Sequence, residues 1–410
     1  MVEFRVFQST KKIILQAKMF TSILRNSYNT NRVAFNAIRS FSTAQKPINV
    51  NSLVVEKTKQ PLPKFTDKNK LIFGKEFSDH MLEIEWDINN GWSAPKISAY
   101  HNLSLPPSAS VFHYAIECFE GMKAYKDKEG KVRLFRPMEN MKRFATSAER
   151  LCLPSFDKEA VIELIKKLVL LDQDWIPEGK GYSLYLRPTL IATQKSLGVS
   201  ASNSALMFVI ASPVGPYYPE GFKPVRLLAD DRFIRAWVGG SGAFKLGSNY
   251  APTIFPQLDA AKKGYSQVLW LLNDYVTEVG TMNMFVLWKN NQGELELITP
   301  PLTDGTILPG VTRDSILKLA QQWGEFKVSE KNFTMSELAK AIKEGRVKEA
   351  FGAGTAAIVS PIKSINYKGE EYPIPIDAAK GAGPLTSRIA DTIMGIQYGE
   401  IPSEWSVVLN

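Results

Sequence analysis

The segment SPVGPYYPEGFKP, Ser212 to Pro224, packs four prolines and two glycines into 13 residues. It can sustain neither a helix nor a central strand, because each proline fixes φ and removes a backbone donor. It therefore divides the chain. At 410 residues, two domains are the default in any case. The division predicts a smaller N-terminal α/β domain over 66–211, an interdomain loop over 212–224, and a larger C-terminal domain over 225–410. Hydrophobic residues make up 44% of the chain, enough to fill two cores.

On the N-terminal side, HMLEIEW (His80 to Trp86) alternates like a strand, and so does KVRLFRP (Lys131 to Pro137). Pro137 opens a helix with Met138, Met141, Phe144, Ala145 and Ala148 on one face. Asp157 reads as the N-cap of the next helix, where Val161, Ile162, Ile165, Leu168 and Val169 repeat at helical spacing. SLYLRPTLIA and ALMFVIA read as strands. Beyond the divide, strands are predicted at Gln267–Leu272, Met284–Lys289 and Glu294–Thr299. Helices are predicted near 312–323, 336–345 and 385–397. The order is mixed α and β, with no regular βαβ rhythm and no GxGxxG fingerprint.

The net charge of +9 is unevenly spread. No acidic residue lies between Glu3 and Glu56, a stretch rich in Arg, Lys, Ser, Thr and Asn. That pattern reads as an organelle transit peptide, of the mitochondrial type, over residues 1–41. RSFS (Arg39 to Ser42) resembles a matrix-protease cleavage pattern. Removing 1–41 removes seven of the 50 basic residues and one of the 41 acidic ones, leaving a net charge of about +3. No aromatic-interleaved basic patch follows, so no nucleic-acid partner is expected. Residues 42–65 hold three prolines and little periodicity, and are expected to form a flexible leader. No apolar run is long enough to span a membrane. The expected location is the mitochondrial matrix.

Two cysteines, Cys118 and Cys152, exclude a disulfide framework. Cys118 reads as a small buried apolar residue. The histidines His80, His101 and His113 show no ligand spacing, so no metal site is expected.

The chemistry centres on WVGGSGAFKLGSNYAP, Trp237 to Pro252, where Lys245 stands among Gly239, Gly240, Gly242 and Gly247. The glycines are expected to let something approach the backbone closely. A lysine nucleophile must present a neutral amine. If its partner were pyridoxal phosphate, the site would also need a carboxylate for the pyridine nitrogen and donors for a phosphate. Compatible parts exist. Glu278 lies in TEVGTMN, Tyr250 follows the lysine, and ILPGVTR (Ile307 to Arg313) reads as a turn entering a helix. FGAGTAA (Phe351 to Ala357) reads as a second glycine-rich turn carrying Thr355. Taken alone, each part is equally at home in an ordinary turn or core.

A longer series of strings decides between these readings. FEGMKAY, RLFRPMENMKR, RLCLPSFD, SLYLRPTLIA, FIRAWVGGSGAFKLGSNYAPT, QVLWL, TEVGTMNMFV, TPPLTDGTILPGVTR and EAFGAGTAAIVSPI resemble the branched-chain amino acid aminotransferases, mitochondrial type. The likeness runs in order from about Phe77 to Trp405. It implies a class IV aminotransferase of fold type IV: an α+β (mixed α/β), two-domain fold, D-amino acid aminotransferase-like. It implies pyridoxal 5'-phosphate as cofactor, branched-chain amino acids, 2-oxoglutarate and glutamate as small-molecule substrates, and a homodimer.

Placed residue by residue, Lys245 matches the lysine that forms the Schiff base and shuttles the proton. Glu278 matches the partner of the pyridine nitrogen, and Tyr250 the tyrosine beside the ring oxygen. Arg143, Val311, Thr312 and Thr355 match the phosphate contacts, with Arg235 also near the cofactor. Phe77, Tyr114, Phe119, Tyr185, Arg187, Thr281, Ala356 and Ala357 match the substrate pocket. Ala357 and Ser360 stand where the mitochondrial enzymes of animals carry a Cys-x-x-Cys pair, so no thiol switch can operate there. Other fold type IV enzymes share the lysine and glutamate but not SLYLRP or the full FEGMKAY context.

Overall fold

The computed structural model describes residues 46–217 and 221–409. The expected transit peptide and cleavage point lie outside them, as does Tyr218. Two sheets organise the described residues. The first is ten-stranded and carries the strands Val54–Val55, Lys96–Ala99, His80–Asp87, Ser204–Val214, Ser183–Ala192, Met122–Lys126, Val132–Phe135 and Ser406–Val408 in that spatial order. Helices Pro137–Arg150 and Lys158–Leu171 pack into its core. The predicted stripe is the buried one: Met141, Phe144, Val161, Ile165 and Leu168 are fully enclosed. Each such side chain contributes about 1.5–3 kcal/mol of hydrophobic stabilisation. Asp157 caps the second helix, accepting from the Ala160 N–H at 3.0 Å.

The second sheet contains Tyr275–Val279, Gln267–Leu272, Val225–Asp230, Ile358–Tyr367, Val347–Gly354, Met282–Lys289, Leu295–Thr299 and Lys327–Glu330 in spatial order. Tyr275–Val279 also pairs with Met282–Lys289, which closes the first six of these strands into a ring. Helices Val311–Trp323, Met335–Lys343 and Pro384–Gln397 pack around it, close to the predicted spans.

Pro188 interrupts a central strand, and the neighbouring chain accommodates it. Glu117–Phe119 and Met122–Lys126 both pair with Ser183–Ala192, and the gap between them falls at Glu120–Gly121, opposite Pro188. A proline cannot donate to the ladder. Here the ladder is already broken, and the Pro188 carbonyl accepts from the Glu120 N–H at 2.7 Å. The break turns Glu120 out of the sheet.

Three expectations need correction. The leader is not loose over residues 46–65. Ile48 is buried in the first core, Val50–Ser52 forms a 3-10 turn capped by Asn49, and Val54–Val55 pairs in parallel with Lys96 and Ile97. The strand Ser204–Val214 runs three residues into the proline-rich segment, with Pro213 facing Leu184 across the ladder. Finally, the glycines of FGAGTAA lie in strand Val347–Gly354, and only Thr355–Ala357 form the turn. Gly352 is small for packing, because a Cβ there would sit 2.7 Å from Val279 Cγ1.

Candidate active site

Lys245 lies in a loop strapped to the first sheet. Its N–H donates to Ser147 Oγ at 2.9 Å, its carbonyl accepts from the Phe119 N–H at 3.1 Å, and Leu246 bridges to Cys118. The backbone is thereby pinned on both sides while the side chain reaches outward. Lys245 Nζ lies 3.0 Å from Tyr250 Oη and 4.8 Å from the centroid of the Phe119 ring. The Phe119 and Tyr250 rings are 5.1 Å apart. Phe119 also meets the Arg187 guanidinium, which stands 4.7 Å over the ring and donates to Tyr185 Oη at 2.9 Å.

The glycines around Lys245 do let something come close, but what approaches Gly242 and Gly247 is protein. A Cβ on Gly242 would meet the Thr306 carbonyl oxygen at 2.6 Å, and one on Gly247 would meet Glu117 Oε1 at 1.8 Å. The small residues let the loop press against its own scaffold.

Glu278 is 2% exposed. It sits on the closed ring, directly across from Asn283 in the antiparallel ladder. Its Oε1 accepts from the Leu308 N–H at 3.0 Å and from Asn283 Nδ2 at 3.1 Å, and its Oε2 lies 2.7 Å from Arg235 Nε. Burial pushes the carboxyl above the ordinary glutamate range, while Arg235 and the Lys245 cation pull it back. Three donors leave one acceptor site of the carboxylate free for a further N–H.

Arg143 is buried, not solvated as its helical position alone would allow. It makes a two-pronged pair with Glu120: Nε to Oε1 at 2.7 Å and Nη2 to Oε2 at 2.8 Å. Its Nη1 donates to the Pro309 carbonyl at 3.1 Å. That contact places Arg143 beside the start of helix Val311–Trp323. Gly310 caps this helix without a side-chain hydrogen bond, so the first-turn N–H groups, Val311 and Thr312 among them, have no intrahelical partner. An arginine beside open helix-start donors is a fit for a phosphate dianion. Burial alone would raise the Glu120 carboxyl. Arg143, with Asn140 donating at 2.8 Å, outweighs it and holds Glu120 below the usual range.

The other expected residues divide into two groups. The Ala356 carbonyl accepts at 2.9 Å from Nζ of Lys123, which faces Tyr185 across the sheet ladder. Thr355 and Ala357 complete the same half-buried turn. Ile358 leaves that turn at φ 62°, a left-handed conformation that is strained for a β-branched residue. By contrast, the contacts of two expected pocket residues lead elsewhere. Phe77 stacks on Tyr100 at 4.9 Å, and Tyr114 is exposed, its hydroxyl donating to the Leu197 carbonyl. Thr281 is exposed in the hairpin turn after Gly280. Among the described residues, no hydrogen bond or ring contact ties Phe77, Tyr114 or Thr281 to Lys245.

Glu120, Lys123, Asn283 and Glu117 were not singled out from the sequence. Two of them stand inside FEGMKAY, and a charged pair in so apolar a string was the available signal. Cys118 is fully buried, as expected of a small apolar residue, and burial pushes its thiol up.

The amino-transferase class IV family matches residues 117–365, which span the lysine, the glutamate, ILPGVTR and FGAGTAA. The chain belongs to the class IV aminotransferases. A branched-chain-amino-acid aminotransferase of Dictyostelium discoideum is 78% identical over 373 residues, covering 91% of this chain and 99% of that protein. A cytosolic branched-chain-amino-acid aminotransferase of Saccharomyces cerevisiae is 55% identical over 86% of this chain and 95% of its own length. A mitochondrial one of Schizosaccharomyces pombe is 49% identical, with 93% and 91% covered. Among solved structures, a branched-chain amino acid aminotransferase with pyridoxamine 5'-phosphate superposes with a TM-score of 0.63. It is 27% identical, with 80% of this chain and 98% of that one covered. Class IV aminotransferases are pyridoxal-phosphate enzymes, and the donor set around Lys245, Glu278 and Arg143 agrees with that cofactor.

Proposed function

We propose that this enzyme transfers the amino group of L-leucine, L-isoleucine or L-valine reversibly to 2-oxoglutarate, giving branched-chain 2-oxo acids and L-glutamate. The observation that carries the reading is Lys245 Nζ at 3.0 Å from Tyr250 Oη, with its charge reaching the buried Glu278. Pyridoxal phosphate, when bound, supplies an aldehyde that takes up the amino group and a ring that withdraws electrons from the α-carbon.

This chain's residues supply the rest. Lys245 Nζ takes the α-proton and returns it. Glu278, held in place by Arg235, Asn283 and the Leu308 N–H, pairs with the pyridine nitrogen and keeps a proton there. Tyr250 Oη orients the amine. Arg143, braced by Glu120, holds the phosphate together with the N–H groups of Val311 and Thr312 and the Thr355 hydroxyl. Arg235 acts near the cofactor through Glu278.

One pocket must take both an aliphatic chain and a carboxylate. Phe119 and Tyr185, with Ala356 and Ala357, form its wall; Phe77, Tyr114 and Thr281, which make no hydrogen bond or ring contact with Lys245 among the described residues, are assigned to it on the family resemblance alone. Arg187, lying over Phe119, offers its donors to the carboxylate and its face to the ring.

The two sheets form the cores of the two domains expected over 66–211 and 225–410, with Val54–Val55 and Ser406–Val408 added to the first from outside those bounds, and the segment after Val214, with Tyr217, closes over the pocket. The enzyme is a homodimer. Phe112, Tyr114, Leu197 and Val199 leave exposed apolar surface around the Tyr114–Leu197 hydrogen bond, which suits a subunit contact. The acid-free, basic N-terminal stretch supports import into the mitochondrial matrix, and relatives of both mitochondrial and cytosolic description exist.

The deciding experiment is turnover of the three amino acids with 2-oxoglutarate and added pyridoxal phosphate, repeated with Lys245→Ala. Activity with all three, lost together with the visible cofactor band in the variant, supports the reading. Absence of turnover with all three ends it.

A further inference from the structure

A cavity of about 200 Å³ lies against the turn Thr355–Ala357. It shares Ala356 and Ala357 with the proposed substrate wall. Lys245, Tyr250, Glu278, Arg143 and Arg187 are not among its lining residues. It is lined instead by Lys123, Tyr125 and Phe222, and by Met394 and Gln397 of helix Pro384–Gln397.

Two groups in its wall have unmet hydrogen-bonding capacity. Lys123 is buried, and one of its three donors goes to the Ala356 carbonyl at 2.9 Å. No carboxylate pairs with it among the described residues. Burial lowers its pKa to about 8, so the cation stays charged at neutral pH in a setting that disfavours charge. Gln397 is 6% exposed, and its Oε1 has no hydrogen-bond partner among the described residues. Buried polar atoms are nearly always satisfied, so an orphaned acceptor and a cation without a carboxylate partner, lining one cavity, point to something that brings both a donor and a negative charge. The remaining wall, with Ile358, Ala390 and Met394, is apolar.

We propose that this cavity is a second, non-catalytic site for a small zwitterionic amino acid with an apolar side chain. Its carboxylate pairs with Lys123, its ammonium donates to Gln397 Oε1, and its side chain rests on Ile358, Ala390 and Met394. The same lysine ammonium that reads the occupant also holds the Ala356 carbonyl, so occupancy is felt at the substrate wall. The proposed function enters only through that last clause and through leucine as probe.

The test uses holoenzyme loaded with pyridoxamine 5'-phosphate, which leaves no aldehyde for the probe to react with. Crystals are soaked with L-leucine, and L-leucine binding is followed by calorimetry in wild type, Lys123→Met and Gln397→Leu. The expected result is leucine in the cavity with its carboxylate at hydrogen-bond distance from Lys123 Nζ. A binding event should also weaken at least tenfold in both variants. Ordered water alone in the cavity, or equal leucine binding by all three proteins, overturns the proposal. Because the readout is binding at a defined place, it is independent of whether Lys245 turns leucine over.

Discussion

Arg235 Nε lies 2.7 Å from Glu278 Oε2, and both side chains are almost wholly enclosed. The arginine is therefore the nearest counter-charge to the acid that the chemistry depends on. Removing it takes away the largest of the effects that oppose burial. In Arg235→Met the Glu278 carboxyl moves further up, so a smaller fraction is ionised at any given acidic pH. The acid limb of the kcat/KM profile for leucine should shift to higher pH. An acid limb that stays in place would show that Arg235 does not set the charge of Glu278.

Glu120 and Arg143 form the second enclosed pair. Glu120→Ala leaves a guanidinium buried without its partner, which should cost about 3–5 kcal/mol of stability. It should also loosen the hold on the phosphate. Denaturant unfolding and retention of pyridoxal phosphate on dialysis measure the two effects. Since the folded-state pKa of Glu120 is depressed, its contribution is present above the unfolded-state value and is lost as pH falls through the folded one. The stability gap between wild type and Glu120→Gln should therefore close in acid.

Lys123 has the opposite pH signature. Its folded pKa of about 8 lies below the ordinary 10.5. The burial penalty is complete below the folded value and fades as pH rises toward the unfolded one. Relative to Lys123→Met, wild type should gain stability between pH 8 and 10.5, by up to about 3 kcal/mol. Unfolding free energies measured across that range check it, and a flat difference would refute it.

Gly242→Ala should act at a distance. The new Cβ would lie 2.6 Å from the Thr306 oxygen, a backbone atom that must move, and that oxygen accepts from Arg235 Nη1 at 3.1 Å. A loss of about 1–3 kcal/mol is expected from overpacking. Reduced kcat with the cofactor still bound should accompany it. Gly240→Ala would press on the Trp237 carbonyl at 2.9 Å and has no such link to Arg235 in its contacts, so it serves as the comparison.

Local signals explain what the sequence disclosed. Ser183–Ala192 and the helix opened by Pro137 follow from short-range pattern, and both appear at the expected residues. The lysine and its tyrosine are five residues apart and meet. What stayed hidden is long-range pairing. Glu120 meets Arg143 across 23 residues, Lys123 meets Ala356 across 233, and Arg235 meets Glu278 only because a ring of strands closes. Periodicity assigns a face to a residue but not a partner. Likewise, the leader showed no period because Ile48 and Val54 dock on a sheet made elsewhere in the chain.

The last strand, Ser406–Val408, pairs with Val132–Phe135, some 270 residues earlier in the chain. The sheet bearing Phe119, Tyr185 and Arg187 thus stays unfinished until Ser406–Val408 has been made. Until then a ribosome-bound chain would present the edge of Val132–Phe135 bare, an invitation to strand pairing with other chains that only the arrival of Ser406–Val408 withdraws.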